Sequence, residues 1–294
     1  MKKPEIEQGV FDLYDDYAHN EISRRQFVDR LGKYAIGGLT VAALMSHVMP
    51  KYESNRLILK DDPRLDSDFI NYNSPLGGGE IKALLSQPKD NKVKLPGIVV
   101  VHENRGLNPY IEDVGRRAAL ENYISIAPDA LSPLGGYPGN DDEGRAMQRE
   151  RDPLKMLEDF IAAFEYLKNH PDCDGNIGVV GFCFGGWISN MMAYRCKDLK
   201  ASVPYYGRQL TPEQTAEVKA PLCLQYAGLD KRVNAGWPEY KTDLDKANKT
   251  YEYYVYEGVN HGFHNNTTPR YDKNSADLSW KRTMAFFNKH LSES

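Results

Sequence analysis

The chain has 294 residues, of which 41% are hydrophobic and 27% charged, a composition typical of a globular protein with a large core. The formal net charge of −4 and the isoelectric point of about 6.0 argue against a nucleic-acid-binding protein, which usually presents a basic face. The four cysteines, Cys173, Cys183, Cys196 and Cys223, form no CxxC pair and no zinc-binding spacing. The composition therefore predicts a globular protein that is stabilised by its hydrophobic core.

The first 55 residues carry a twin-arginine-like motif, Ser23-Arg24-Arg25-Gln26-Phe27-Val28, which resembles an export signal. The apolar stretch after it, residues 34–49, is too short and too weakly apolar to predict a stable membrane span. The region before the arginines is long and acidic, whereas a signal usually opens short and basic. Ser23 and Gln26 also form a capping-box pattern that predicts a helix from about Arg24.

Two interpretations of residues 1–55 stay open at this point. A retained helical extension would pack on the body of the protein or on a second subunit, giving a homo-oligomer, and would leave the protein in the cytoplasm. A twin-arginine signal, working or vestigial, would make the protein an exported, periplasmic one. Fractionation of native cells with N-terminal sequencing distinguishes the two.

Residues 56–294 alternate predicted strands and helices and are interpreted as one domain. Strands are predicted at residues 81–86, 97–103, 123–128, 177–182, 201–206, 221–227 and 251–256. Helices are predicted at residues 112–121, 153–169, 187–195, 243–248 and 275–290, and residues 131–142 are a loop rich in Pro and Gly. This alternation predicts an α/β fold with a mostly parallel sheet and helices on both faces.

The strongest local motif is Gly181-Phe182-Cys183-Phe184-Gly185-Gly186, which fits glycine-x-nucleophile-x-glycine between a strand and a helix. Side chains at positions 181 and 185 would collide in so sharp a turn, which explains both glycines. The thiol of Cys183 would stand at a helix N-terminus, where the backbone N–H groups and the helix dipole favour a thiolate. The N–H of Phe184 would point at the position of an oxyanion. The alternative is a glycine-flanked core cysteine.

Two further residues follow in the order that an α/β-hydrolase uses, which is nucleophile, acid, histidine. Asp230 ends a predicted strand in Gly228-Leu229-Asp230, and His261 follows the next strand. Both fall at the carboxyl ends of strands, where an open α/β sheet places its site. The alternatives are a turn aspartate and a loop-capping histidine.

These motifs resemble the dienelactone hydrolase (carboxymethylenebutenolidase-like) family, in a subgroup with an N-terminal twin-arginine-like extension. The resemblance covers residues 68–291 and includes the motifs His102-Glu103-Asn104-Arg105-Gly106-Leu107 and Asn260-His261-Gly262-Phe263. It implies an α/β-hydrolase fold, and it implies that Glu103 contacts the resting thiol and helps to ionise it. The N–H of Asn104 is then the second oxyanion donor.

The resemblance implies a cofactor-independent hydrolase that cleaves a small-molecule ester or enol-lactone through Cys183, His261 and Asp230 and a thioester intermediate. Metal dependence is not expected, because His102, His261 and His264 do not form a ligand pattern such as H-E-x-x-H. An acyl-thiol or peptidase-type hydrolase on the same fold and a non-catalytic binding protein are the alternatives.

The sequence departs from the family at two arginines that clamp a substrate carboxylate. Position 265 holds Asn265, and no arginine occurs in residues 130–133. The cations that could replace them are Arg105, Arg145, Arg208, Arg270 and His264. Aromatic residues that could border the pocket are Tyr137, Trp187, Tyr206 and Trp237.

Overall fold

The computed structural model describes residues 6–36 and 39–292, so that two residues of the apolar stretch at 34–49 lie outside the described part. The strands in chain order are β1 (Leu65–Ser74), β2 (Gly79–Pro88), β3 (Leu95–Val101), β4 (Ile124–Pro128), β5 (Cys173–Phe182), β6 (Ala201–Tyr205), β7 (Leu222–Ala227) and β8 (Tyr251–Tyr256). They form one sheet in the order β1-β2-β4-β3-β5-β6-β7-β8. The pairs β1–β2 and β2–β4 are antiparallel and the other pairs are parallel.

The helices in chain order are α1 (Gln8–Ala18), α2 (Arg24–Leu31), α3 (Val41–Val48), α4 (Pro109–Leu120), α5 (Asp141–Glu150), α6 (Pro153–Lys168), α7 (Phe184–Arg195), α8 (Pro212–Ala216), α9 (Lys231–Asn234), α10 (Trp237–Lys246) and α11 (Lys273–Leu291). Short 3-10 turns occupy Gly32–Tyr34 and Ser132–Leu134.

The central strands are buried on both faces, which is why they are continuous runs of apolar residues. In β3, Val99 and Val101 pack into one hydrophobic cluster with α6 and α7, while Ile98 and Val100 pack into a second cluster with α4 and α11. Successive side chains of a strand point to opposite faces, so one apolar run supplies both layers of the core. The predicted α/β-hydrolase fold, with a mostly parallel sheet, is confirmed.

Four elements of the body were not predicted: β1, α5 and the short helices α8 and α9. Strand β1 lies at the edge of the sheet and is largely exposed on both faces, so it has no clear apolar alternation. Helix α5 begins at the end of the predicted loop, and its buried face consists of polar or small residues, namely Asp141, Gly144, Arg145 and Gln148. Helical periodicity of apolar residues is therefore missing from its sequence.

The N-terminal segment folds into three helices with a small core of their own. Tyr17 and Phe27 stack with ring centroids 4.8 Å apart, at the centre of a buried cluster from α1, α2 and α3. The predicted capping box is present, with the side chain of Ser23 accepting from the N–H of Gln26. Among the described residues, no helix is both long enough and apolar enough to cross a membrane.

The N-terminal helices contact the body of the same chain. The side chain of Asn104 donates a 2.6 Å hydrogen bond to the carbonyl of Ala18, and the N–H of Lys51 donates to Thr267 at 2.7 Å. Arg270 pairs with Asp15 at 3.1 Å. The C-terminal end of α1 therefore lies against the strand ends of the sheet.

Candidate active site

The turn from β5 into α7 places Cys183 in a backbone conformation that L-residues rarely adopt, with φ 57° and ψ −110°. A Cβ added to Gly181 would lie 2.0 Å from the carbonyl oxygen of Gly185, and one added to Gly185 would lie 2.4 Å from the carbonyl oxygen of Val101. The two glycines are thus required by close backbone approach, as the sequence predicted. The thiol consequently stands at the N-terminus of α7, above the ends of the parallel strands.

Asp230 and His261 come together from the ends of β7 and β8. Nδ1 of His261 lies 2.6 Å from Oδ2 of Asp230, and both side chains are buried. The other carboxylate oxygen of Asp230 accepts the N–H of Val233 at 3.0 Å, which fixes the carboxylate at the start of α9. Nε2 of His261 is buried and has no hydrogen-bond partner among the described atoms, so it is free to act on a substrate or on water.

The charges of Cys183, His261 and Asp230 stabilise one another. Burial alone would lower the pKa of His261, but the carboxylates of Asp230 and Asp15 and the thiolate of Cys183 outweigh it and raise the pKa to about 10. Burial opposes ionisation of Cys183, but the charges of His19 and His261 outweigh it and hold the pKa of the thiol well below its usual value. These shifts favour a thiolate–imidazolium pair at neutral pH.

His19, in the N-terminal extension, lies at this site although no sequence motif indicated it. Its Nε2 atom is 3.2 Å from Sγ of Cys183, and its ring centroid is 4.8 Å from that of His261. It occupies the C-terminal cap of α1. A lone histidine at a helix end has no signature that would point to a nucleophile 164 residues away.

Glu103 lies at the end of β3 as expected, but its carboxylate has other partners than the thiol. It accepts the side-chain amide of Asn265 at 3.2 Å and pairs with Arg105 at 3.3 Å. Arg105 is in turn bonded to Asp141 at 2.7 Å. Asn265, which stands where the family resemblance predicts an arginine, therefore helps to hold Glu103 in a buried network.

A cavity of about 440 Å³ opens above Cys183. Of the residues predicted for the site, six line it together with Cys183: Asn104, Arg145, Phe184, Trp187, Tyr206 and Arg208. The remaining lining comes from the segment after α1, from α5, α6 and α9, and from a loop: His19, Asn20, Gln148, Arg149, Arg151, Pro153, Met156 and Arg232. A larger cavity of about 620 Å³ lies between β1 and α6 and contains no residue of the triad.

Five residues considered from the sequence as pocket residues lie elsewhere. Arg105 is buried in the Glu103–Asp141 network, and Tyr137 donates to Asp141 at 3.0 Å. His264 is buried, with Nδ1 2.6 Å from the hydroxyl of Tyr110. Trp237 stacks on Tyr226, with centroids 5.1 Å apart, and Arg270 pairs with Asp15.

In the part of the chain that the structure describes, one group of side chains could hold a metal ion. A donor atom from each of His19, Cys183 and His261 lies within 4.8 Å of the other two. A thiolate and two imidazoles are ligands suited to zinc. The same three groups also suit a thiolate held between two imidazolium rings, and the expectation of a metal-independent enzyme stays a prediction.

The sheet order and the strand–elbow–helix unit define an α/β-hydrolase. Residues 81–291 match the family model described as the dienelactone hydrolase family, and the chain belongs to that family of hydrolases. Residues 1–35 match a separate model described as YqhI-like.

Relatives agree with this assignment. The chain is 27% identical over 250 residues to a Saccharolobus solfataricus protein named as a carboxymethylenebutenolidase, covering 72% of this chain and 95% of that protein. It is 50% identical over 115 residues to an Escherichia coli K12 protein described as the hydrolase fragment YghX, covering 39% of this chain and 98% of the fragment. A dienelactone hydrolase structure from Klebsiella pneumoniae superposes with a TM-score of 0.68 at 25% identity, covering 77% of this chain and 99% of that one.

Proposed function

We propose that this protein hydrolyses a carboxylic ester or enol-lactone through a triad of Cys183, His261 and Asp230, with a thioester intermediate. The observation that carries the proposal is the buried 2.6 Å contact between Asp230 and His261, beside a cysteine held on a strained strand-to-helix turn at a cavity. A carboxylate that orients a histidine next to a nucleophile is the arrangement that acyl transfer requires.

In the proposed reaction the thiolate of Cys183 attacks the ester carbonyl and forms a carbon–sulfur bond. The backbone N–H groups of Phe184 and Asn104 are the proposed donors to the oxyanion. The leaving oxygen takes the proton from the imidazolium of His261. Neutral His261 then accepts a proton from water as the water attacks the thioester, and the thiolate is released with the acid product. An enol leaving group suits a thiolate, because its negative charge is delocalised.

The charge of the cavity supports a substrate that carries an anionic group. Five arginines line it, Arg145, Arg149, Arg151, Arg208 and Arg232, and the lining includes no carboxylate. Among the described residues, neither Arg149 nor Arg208 has an ion-pair partner, and the guanidinium of Arg208 stacks over Trp187 at 4.8 Å. We propose that this set takes the place of the clamp arginines that the sequence lacks.

We also propose that the N-terminal extension stays on the mature protein, which would then be cytoplasmic. The contacts of Asn104 with Ala18 and of Arg270 with Asp15 support this, since removal of the extension would take away the hydrogen-bond acceptor of Asn104 and the ion-pair partner of Arg270. Fractionation of native cells and N-terminal sequencing test it. A mature N-terminus near residue 51 in the periplasm would contradict the proposal.

The triad is tested by hydrolysis of p-nitrophenyl acetate and of an enol-lactone by the wild type and by Cys183→Ala. We expect a loss of at least about a hundredfold, the size expected when an activated nucleophile is removed. Cys196→Ala is the matched control, because burial raises the pKa of Cys196 to about 12 and leaves it a thiol. An acyl group found on Cys183 by mass spectrometry after rapid quenching would support the thioester. Equal rates for wild type and Cys183→Ala would contradict the assignment.

A further inference from the structure

His19 is held at the thiol by an acidic residue one helical turn before it. Nδ1 of His19 lies 2.8 Å from the carbonyl oxygen of Asp15 and 3.4 Å from its carboxylate. Contact of Nδ1 with an acceptor places the second ring nitrogen, Nε2, toward Cys183 at 3.2 Å. The pair Asp15–His19 thus presents an imidazole to the sulfur much as Asp230 presents His261.

Asp15 is itself fixed by the body of the protein. Arg270 donates to it at 3.1 Å, and Nε of Arg232 lies 3.6 Å from its other oxygen. Burial opposes the charge of Asp15, but His261, His19 and Arg270 outweigh it and keep its pKa below the usual value. Asp15 is therefore an anion that supports a positive charge on His19.

The charged groups around His19 come from several elements. Asp15 lies on α1, Cys183 at the start of α7 and His261 after β8. Nη2 of Arg232 lies 2.9 Å from Nε2 of His19, which accepts this hydrogen bond while the ring is neutral and exchanges it for the Cys183 thiolate when the ring is protonated. Arg232 also faces Glu21 at 4.0 Å, which reduces its repulsion of an imidazolium. Burial lowers the pKa of His19, but Cys183 and Asp15 outweigh it and raise the pKa above the usual value.

Glu103 has other partners than the thiol of Cys183. Its carboxylate is occupied by Arg105 and Asn265, so it does not supply the contact with the resting thiol that the family resemblance implies. His19 instead supplies a contact to the sulfur at 3.2 Å, and a positive charge on its ring favours the thiolate directly.

We propose that His19 is a catalytic residue: its imidazolium holds the Cys183 thiolate in the resting enzyme, and His261 is left to move the proton. This inference rests on the proposed triad. His19 keeps its proton when the carbon–sulfur bond forms, and it meets the thiolate again when that bond breaks. The leaving oxygen takes the proton of His261, which is replaced from the attacking water. Proton and charge therefore balance over one turnover.

The cavity indicates that His19 does not act as a plug, that is, a side chain that blocks access to the thiol. Both His19 and Cys183 line the open space of about 440 Å³, so that the extension forms a wall of the pocket and leaves the sulfur accessible. A plug would instead suppress activity, and its removal would raise the rate.

The test compares full-length wild type with His19→Ala and His19→Gln. Glutamine keeps a neutral N–H donor and removes the positive charge, so it separates charge from packing. Ser23→Ala is the matched control, because it weakens the cap of α2 in the same extension without touching the thiol. The readouts are iodoacetamide alkylation of Cys183 between pH 5 and 9, followed by mass spectrometry, and kcat/KM with p-nitrophenyl acetate.

We expect alkylation at pH 6 to fall about tenfold in both His19 variants, since each unit of thiol pKa changes the thiolate fraction tenfold below the midpoint. The alkylation midpoint should move to higher pH, and kcat/KM should fall at least about tenfold. Free imidazole should restore part of the activity of His19→Ala and none of that of Cys183→Ala. Ser23→Ala should behave as the wild type.

Unchanged alkylation profiles in both His19 variants would overturn the proposal. A rise in kcat/KM in these variants would also overturn it, because it would show that His19 blocks access to the thiol. The two proposals fail separately. An inactive Cys183→Ala with unaffected His19 variants refutes the role of His19 alone, whereas a fully active Cys183→Ala refutes the triad.

Discussion

Nδ1 of His261 lies 2.6 Å from Oδ2 of Asp230, in a buried pair that joins the ends of two neighbouring strands, β7 and β8. The carboxylate both orients the ring and raises the pKa of His261, so the pair determines which nitrogen faces the substrate and whether it is protonated.

Asp230→Asn should therefore lower kcat by about a hundredfold to ten-thousandfold, because an amide neither stabilises the imidazolium nor fixes the same tautomer. The pKa of His261 should fall from about 10 toward its ordinary value, which NMR titration of the ring would detect. Asp198→Asn is the control, since that carboxylate is exposed and pairs with Lys168. An unchanged kcat in Asp230→Asn would exclude Asp230 from the triad.

The pH dependence of kcat/KM should be bell-shaped. Activity requires the thiolate of Cys183, so it rises with pH through a thiol pKa that is well below the usual value. It also requires the proton of His261, so it falls as pH rises through about 10. In Asp230→Asn the alkaline limb should move to lower pH. A profile that rises without a maximum up to pH 11 would contradict the role of His261 as the acid.

Arg208→Ala should raise KM about fivefold to tenfold for an ester with a carboxylate in its acyl part, and leave KM for p-nitrophenyl acetate unchanged. The size of the KM change follows from the loss of one partly exposed ion pair between Arg208 and the substrate, which contributes about 1 kcal/mol. Arg195→Ala is the control, because Arg195 lies at the far end of α7 and pairs with Glu158. Equal effects on the charged and the neutral ester would contradict an anion-binding role.

Gly185→Ala should unfold at a temperature several degrees lower and lose most of its activity. Its Cβ would lie 2.4 Å from the carbonyl oxygen of Val101 and 2.7 Å from that of His102, so the elbow must move away from β3. Overpacking of this kind costs about 1–3 kcal/mol. Gly32→Ala is the control, because no atom lies within 4 Å of its added Cβ. Thermal unfolding and kcat/KM measure both effects.

The part of the site that lies in the sheet was predictable from the sequence. The central strands are buried on both faces, so their sequences are continuous apolar runs. The elbow needs glycine at fixed offsets from Cys183. Asp230 and His261 follow strands, and parallel strands end at one edge of the sheet. Local rules of periodicity and backbone sterics were enough to predict these features.

The surroundings of the thiol could not be predicted in the same way. Helix α5 supplies Arg145 and Arg149 to the cavity, yet its buried face is polar and gave no periodic signal. One partner of Glu103, Arg105, lies two residues away on the same loop, but the other, Asn265, lies 162 residues away and meets it through the fold alone.

The cysteine on its elbow, the order of nucleophile, acid and histidine, and the α/β class were determined by the sequence itself, since each depends on neighbours along the chain or on the strand period. The tertiary structure decided that His19 lies 3.2 Å from Cys183 across 164 residues. That contact depends on how α1 docks over the strand ends, through Asp15, Arg270 and Asn104, and no local pattern specifies the docking of one segment on another.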